Sequence, residues 1–205
     1  MKLFKKYDID FKSFISRGLP KKDEIFFVGL INGRMGSGKT YLATKLTYSL
    51  CTNPKNKIKF KVKTNIKSLN IKDVEIDYFD NITDIVNDNQ EYTIYIIDEL
   101  GKKYTSNCNQ DKDFYNFLQM SRKTKRIVFL IHQEYLQTPK WLRGVVQYVF
   151  TTHQFMFFPI FITYKGTPFL NEDLEWCVSN DFVYIYKRTK KIGNLYNTFE
   201  TVNTL

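Results

Sequence analysis

The segment Gly33-Arg34-Met35-Gly36-Ser37-Gly38-Lys39-Thr40 fits the pattern G-x-x-x-x-G-K-[ST] at every fixed position. Glycines at these places let a loop take positive φ. They also let backbone N–H groups approach phosphate oxygens with no side chain between them. A helix starting near Lys39 aims its unsatisfied N–H groups and the positive end of its dipole at the same point. In such a cradle, taken to run from Gly33 through Tyr41, Lys39 neutralises β- and γ-phosphate charge and the Thr40 hydroxyl ligates Mg²⁺. These residue types suit a nucleoside triphosphate, with ATP and Mg²⁺ the expected ligands. Nothing in the motif itself selects ATP over GTP.

Further along, Tyr95-Ile96-Ile97-Asp98-Glu99 is an apolar run ending in two carboxylates. Beside a phosphate cradle, Asp98 would belong to the Mg²⁺ shell and Glu99 would polarise the attacking water as general base. The basic cluster Ser121-Arg122-Lys123-Thr124-Lys125-Arg126 closes a helical pattern. It suits the negative end of a helix dipole equally well as it suits an arginine finger reaching a neighbouring subunit's γ-phosphate. Arg122 is the first choice for that finger, with Arg126 and Arg143 in reserve. Gln133 follows a buried-strand pattern directly, where its amide could orient water or report loss of phosphate. The neighbouring His132 reads as a satisfied structural histidine.

These groups need elements to carry them. Residues 25–31 form a nearly continuous apolar run, as expected for a strand covered on both faces. A helix should follow at about 39–50. Strands are expected at 58–62, 74–79, 92–97 and 127–131, and helices at 82–87 and 111–121, the last with Phe114, Phe117 and Leu118 inward. The chain then changes character. Residues 145–151, 155–164 and 182–186 are aromatic, β-rich segments interrupted by Pro159, Gly166 and Pro168. Alternating strands and helices imply a mostly parallel α/β sheet flanked by helices, with residues 145–205 as a β-rich extension of one domain spanning 25–205. Residues 1–24 read as a separate basic amphipathic arm, with Phe4, Tyr7, Phe11, Phe14 and Ile15 among lysines.

The 205 residues contain 31 Lys and Arg against 21 Asp and Glu, a formal net charge of +10. Such a field attracts polyanions, although the abundance of Lys and Asn is equally explained by an AT-rich coding sequence. Cys51, Cys108 and Cys177 are odd in number and widely spaced. They make neither a disulfide framework nor a zinc pattern, which suits a reducing compartment. No apolar window is long enough for a transmembrane helix, and no secretory h-region follows the first lysines.

The order of motifs resembles one branch of P-loop ATPases, the FtsK/HerA superfamily. Lys39 and Thr40, then Asp98 and Glu99, then Arg122 near a helix end, then Gln133 closing a strand, fall where that group carries its functional residues. Residues 94–148, with Phe117-Leu118 ahead of Arg122, are also similar to zonular occludens toxin-like and filamentous-phage assembly ATPases. So are residues 182–186 and Leu195-Tyr196-Asn197-Thr198. The assembly ATPases carry a hydrophobic span after the ATPase domain, which this sequence lacks, so the compact genome-packaging ATPases of icosahedral viruses with internal membranes are the nearer likeness. The resemblance implies a RecA/FtsK-like fold and a ring, a hexamer, with a channel for viral DNA. It also implies work at a packaging vertex in the virion or host cytoplasm, with capsid-vertex or membrane proteins as further partners. Lys102-Lys103-Tyr104 and the cluster Lys187, Arg188, Lys190 and Lys191 are candidate DNA contacts, or ordinary solvated patches. Three alternatives stand beside this: a morphogenesis or export ATPase acting on protein, a small-molecule kinase, and a nucleotide-binding module without turnover.

Overall fold

The computed structural model describes residues 26–54, 56, 58–155 and 159–197. The basic arm expected at residues 1–24 lies outside the described residues. An eight-stranded sheet organises the rest. Its strands in chain order are β1 (Val28–Asn32), β2 (Lys61–Thr64), β3 (Ile76–Tyr78), β4 (Thr93–Ile97), β5 (Ile127–Ile131), β6 (Tyr148–Gln154), β7 (Ile160–Gly166) and β10 (Phe182–Lys187). Two short strands, β8 (Pro168–Leu170) and β9 (Trp176–Val178), form a separate antiparallel hairpin. The spatial order of the large sheet is β10-β7-β6-β1-β5-β4-β2-β3. The six strands from β6 to β3 are all parallel, whereas β7 runs against β6 and β10 against β7. The mostly parallel architecture is the expected one, and the aromatic tail does complete the sheet.

β1, β4 and β5 are buried at every position because helices cover both faces. On one face lies α1 (Lys39–Thr52), which packs Leu42, Ala43, Leu46 and Leu50 onto Phe27, Ile31, Ile94, Ile96, Phe129 and Phe150. On the other, α3 (Lys112–Met120) packs Phe114, Phe117 and Leu118 onto Val28, Leu30, Tyr95, Ile97 and Leu130. Single helical turns form α2 (Thr83–Val86), α4 (Lys140–Arg143) and α5 (Lys190–Gly193). Among the described residues no helix lies over the side of β7 and β10 turned away from α1, leaving Val183 54% and Ile185 52% exposed opposite Tyr164 and Ile162.

Because β1, β2, β4, β5 and β6 are parallel, the loops that follow them emerge along one edge of the sheet. In open α/β sheets that edge is the ligand-binding one. The segments after Asn32, Thr64, Ile97 and Ile131 are thereby gathered together, with the end of β6 beside them.

Four expectations need adjustment, the first being the strand expected at 145–151, which runs Tyr148–Gln154 because its pairing with β1 begins only at Tyr148. The strand expected at 58–62 is shifted to Lys61–Thr64, because alternation runs on from Ile58 to Thr64 and pairing with β4 begins only at Lys61. The run 155–164 is not one strand: β6 extends to Gln154, and the chain reverses before β7, which begins after Pro159. Tyr104, expected as a nucleic-acid contact, is instead a core residue 2% exposed, stacked on Phe114 and bonded through its hydroxyl to Asp111.

Asp111 caps α3, its Oδ1 accepting from Phe114 N–H at 3.0 Å while Oδ2 accepts from Tyr104 Oη at 2.6 Å. Burial pushes its carboxyl up, but the hydrogen bonds from Tyr104 and the Phe114 amide outweigh this and hold it below the ordinary carboxylate range. Asp111→Ala is therefore expected to destabilise the fold by about 1–2 kcal/mol at neutral pH in denaturant titrations. A depressed carboxylate contributes stability above its unfolded-state value and loses it as pH falls through the folded one. The variant's deficit should accordingly shrink in acid.

Lys165 on β7 has the opposite sign. It is 1% exposed, its ammonium 4.4 Å from the centre of the Tyr148 ring, and burial, only partly opposed by Asp181, pushes it down to about 8. The folded state then binds its proton less readily than the unfolded chain, so stability should rise between about pH 8 and the ordinary lysine range. Lys165→Met is expected to flatten that rise, read as melting temperature against pH.

Candidate nucleotide site

The loop between β1 and α1 is shaped by two glycines that no other residue could replace. Gly33 has φ +145, and a Cβ there would lie 2.4 Å from Thr152 O. Gly38, at φ +90, would drive a Cβ to 2.6 Å from the Phe161 ring. The loop is pinned from below: Gly33 N–H donates to Gln133 O at 3.0 Å, and Ser37 Oγ and Thr152 Oγ1 are 2.8 Å apart. Thr152 Oγ1 also donates to Asn32 O at 3.1 Å. Arg34 and Met35 form the exposed crown, Met35 being 88% exposed.

Lys39 folds back on its loop, Nζ donating to Gly33 O at 2.8 Å and Arg34 O at 3.1 Å. Burial lowers its proton affinity, while the nearby charges of Asp98 and Glu99 work to keep it protonated. One residue on, Thr40 Oγ1 donates to Asp98 Oδ2 at 2.8 Å, joining the start of α1 to the end of β4. β5 lies between β1 and β4, so this bond spans about 10 Å of sheet measured from the β1 axis.

Asp98 is 9% exposed. Burial raises its carboxyl above the usual range despite the Thr40 hydroxyl and the Glu99 amide, which donates to Oδ1 at 2.8 Å. Its backbone is gripped on both sides by the Asn65 amide: Asn65 Nδ2 donates to Asp98 O at 2.9 Å, and Asp98 N–H donates to Asn65 Oδ1 at 2.8 Å. Glu99 adopts φ +55, which turns it away from the strand direction, and its carboxylate pairs with Lys102.

His132 is buried, 3% exposed, and burial holds its ring below the ordinary histidine range. Nδ1 accepts from Glu134 N–H, so the Nε2 proton faces Tyr104 O at 3.3 Å. That histidine is structural, packed under Gly101 in the turn after Glu99. Gln133 beside it is exposed toward the cleft.

Gly36, Gly38, Lys39, Thr40, Tyr41, Asp98, Glu99 and Gln133 line one cleft of about 570 Å³. Arg122 does not. It is exposed on the turn leading into the N-terminal end of β5, so about 13 Å of strand separates that turn from the edge carrying the cleft. It cannot serve its own site. Of the reserve fingers, Arg126 is 2% exposed, stacks on Phe117 and donates to Asp88 O and to Gln90 O. Arg143 is 7% exposed and donates to Thr138 O at 2.8 Å and to Leu136 O. Both are consumed by backbone carbonyls and are withdrawn as fingers.

The donor set fits Mg²⁺. Thr40 and Asp98 present hard oxygens side by side, and the described residues hold no cluster of three or more His, Cys, Asp or Glu that would suit a fully protein-bound cation. Magnesium takes few protein ligands and completes its shell with phosphate and water. Sequence reasoning missed Asn65 and Thr152. The first was hidden by the misplaced end of β2, and the second comes from a strand more than a hundred residues beyond the loop, with no local signal.

Residues 26–149 match the family model described as Novel STAND NTPase 3. The chain belongs to that family. This nSTAND3 chain is therefore an NTPase by family. No curated protein sequence matches it. The N-terminal domain of zonular occludens toxin from Neisseria meningitidis superposes with a TM-score of 0.59 at 20% identity, over 83% of this chain and 98% of that one. The genome packaging NTPase B204 from Sulfolobus turreted icosahedral virus 2, in complex with ATP-gammaS, gives 0.53 at 12% identity, over 78% and 96%. The DNA-packaging ATPase B204 from Sulfolobus turreted icosahedral virus gives 0.51 at 12%, over 80% and 98%. At these identities the likeness is one of fold.

Asn65→Ala removes both hydrogen bonds from the Asp98 peptide in a buried setting. It is expected to cost about 2 kcal/mol or more in denaturant unfolding and to weaken Mg²⁺-dependent nucleotide binding in the same preparation. Wild-type affinity would show that the Asn65 clamp does not position Asp98.

Proposed function

We propose that the chain is an ATP-driven nucleic-acid translocase of the FtsK/HerA type, working as a ring, a hexamer, that packages viral DNA into a preformed capsid. The observation carrying the reading is that the phosphate loop, Asp98, Glu99 and Gln133 open onto a single cleft, bridged by the Thr40–Asp98 hydrogen bond. The fold likeness to the packaging NTPase B204 and the formal charge of +10 support the nucleic-acid substrate.

In this reading Lys39 leaves the carbonyls of Gly33 and Arg34 to bind the β- and γ-phosphates, while loop and helix amides take the remaining oxygens. Thr40 and Asp98 would hold Mg²⁺, which would supply neutralisation of phosphate charge. Glu99, released from Lys102, accepts a proton from the water that attacks the γ-phosphorus, and ADP departs as the bond to its β-phosphate oxygen breaks. Gln133 orients that water. Its peptide carbonyl is bonded to Gly33, so a shift in the loop reaches β5 directly. Arg122, unable to reach its own cleft, acts on the next subunit's site. Lys103, Lys187, Lys190 and Lys191 remain as DNA contacts, whereas Lys102 lines the nucleotide cleft and pairs with Glu99. Among the described residues no helix is long and apolar enough to cross a membrane. The proposed place of action is the packaging vertex, in the virion or the host cytoplasm, with capsid or membrane proteins as neighbours.

A second reading, an assembly or export ATPase acting on protein, is favoured by the higher TM-score of the zonular occludens toxin domain among the three likenesses described. Hydrolysis assayed with and without double-stranded DNA separates the two. On the translocase reading DNA stimulates turnover and the stimulation declines steeply with salt. Unchanged turnover at every salt concentration would leave only the protein-acting reading. Lys39→Ala should lose nucleotide binding. Glu99→Gln should keep it while hydrolysis falls at least about 100-fold. Mixing inactive Glu99→Gln with inactive Arg122→Ala should restore part of the activity, since mixed rings contain intact composite sites. No recovery would remove Arg122 from the mechanism.

A further inference from the structure

The C-terminal part of the chain does more than widen the sheet. Where β10 ends, the turn at 187–189 is fastened to the first turn of α1 by Tyr41, whose hydroxyl accepts from Thr189 N–H at 2.9 Å and lies 3.3 Å from Thr189 Oγ1. α5 then lies along α1, with the Lys191 ammonium 4.8 Å from the centre of the Tyr48 ring. From there the chain crosses to the loop after β2. Asn70 N–H donates to Leu195 O and Asn197 N–H donates to Ser68 Oγ, each at 2.8 Å. Residues 188–197 thus form a strap over the helix that begins at the phosphate loop.

Three strap residues, Arg188, Tyr196 and Asn197, line the cleft together with Gly38, Thr40 and Tyr41. Lys187, Lys190 and Lys191, from the same basic cluster in sequence, do not. The position of the strap fixes what it could meet. Thr40 and Asp98 mark the end of the cleft where the β- and γ-phosphates belong. Tyr41 continues α1 beyond Thr40, and its hydroxyl is what holds the Arg188 turn. A triphosphate gripped by the loop would share its cleft with the strap.

We propose that the strap is the nucleoside wall of the cleft, and that Arg188 is a nucleotide-binding cation holding the α-phosphate and sugar end. The proposal rests on the ATP-binding reading above. A guanidinium suits the place, since its planar fork of donors can hold a phosphate oxygen and a sugar hydroxyl together. This takes Arg188 out of the DNA-contact cluster to which its lysine neighbours belong.

The test is equilibrium binding of Mg²⁺-ADP and of a non-hydrolysable Mg²⁺-ATP analogue, without nucleic acid, to wild type, Arg188→Ala and Arg188→Lys. Arg188→Ala is expected to weaken both nucleotides by a similar factor, about tenfold, with the melting temperature of the nucleotide-free protein unchanged. Arg188→Lys should recover part of the loss. Unchanged affinity for both nucleotides overturns the proposal, and weakened DNA binding alongside it would return Arg188 to the basic cluster. A loss confined to the ATP analogue also overturns it, placing Arg188 at the γ-phosphate. If wild type binds neither nucleotide, the ATP-binding reading itself fails and this proposal with it. Wild-type binding that Lys39→Ala abolishes and Arg188→Ala leaves intact sinks the strap alone.

Discussion

A loop that cradles phosphates does chemistry only if something acidic can be brought up to the same phosphates from elsewhere in the fold. Here the acid is two strands away, with β5 intervening, and the connection is made by one hydroxyl: Thr40 at the start of α1 reaches Asp98 at the end of β4. That reach constrains much of the surrounding structure. α1 has to leave β1 at an angle that only a left-handed Gly38 allows, with Phe161 filling the space a side chain would need. β4 has to end at Ile97, and Asn65 holds the next peptide in place. The helix and the strand are each ordinary elements. Their meeting point is not, because it is fixed by residues from β6, β7 and the end of β2 that neither element contains.

The same meeting point is electrostatically costly. Asp98 is buried and pushed toward its neutral form, while Lys39 is buried enough to resist its own charge. A chain selected for stability alone would place neither group there. The rest of the domain offsets the cost with strands apolar on both faces and helices that cover them, the usual pattern when local rules are broken at a working site. Glu99 repeats the theme in the backbone, held at positive φ with no glycine to ease it.

Much of this could be read from the residues in order. The glycine-lysine motif and the apolar run ending in Asp98 and Glu99 are contiguous signals, and uninterrupted hydrophobic segments mark doubly covered strands well. Boundaries set by pairing were less visible. Ile58 to Thr64 alternates without a break, and only the register with β4 shows that its last residues carry the strand, which is why Asn65 escaped notice. Aromatic residues flanked by lysines were ambiguous as well, since Tyr104 looks wet in the sequence and is dry in the fold. Arg126 and Arg143 resemble free cations until the carbonyls they bind are seen. Thr152 and Arg188 are beyond any local signal, because the chain brings them to the cleft only after most of the sheet has been laid down.

The extension beyond β6 has one further consequence. On β7, Phe161 faces inward and fills the space beside Gly38, while its neighbours Ile162 and Tyr164 face the side that no described helix covers, opposite Ile185 and Val183 on β10. The thickness of a single strand is all that separates the phosphate loop from the outside world at this point. A molecule settling on that bare stripe would lie one strand away from the ring that shapes the loop.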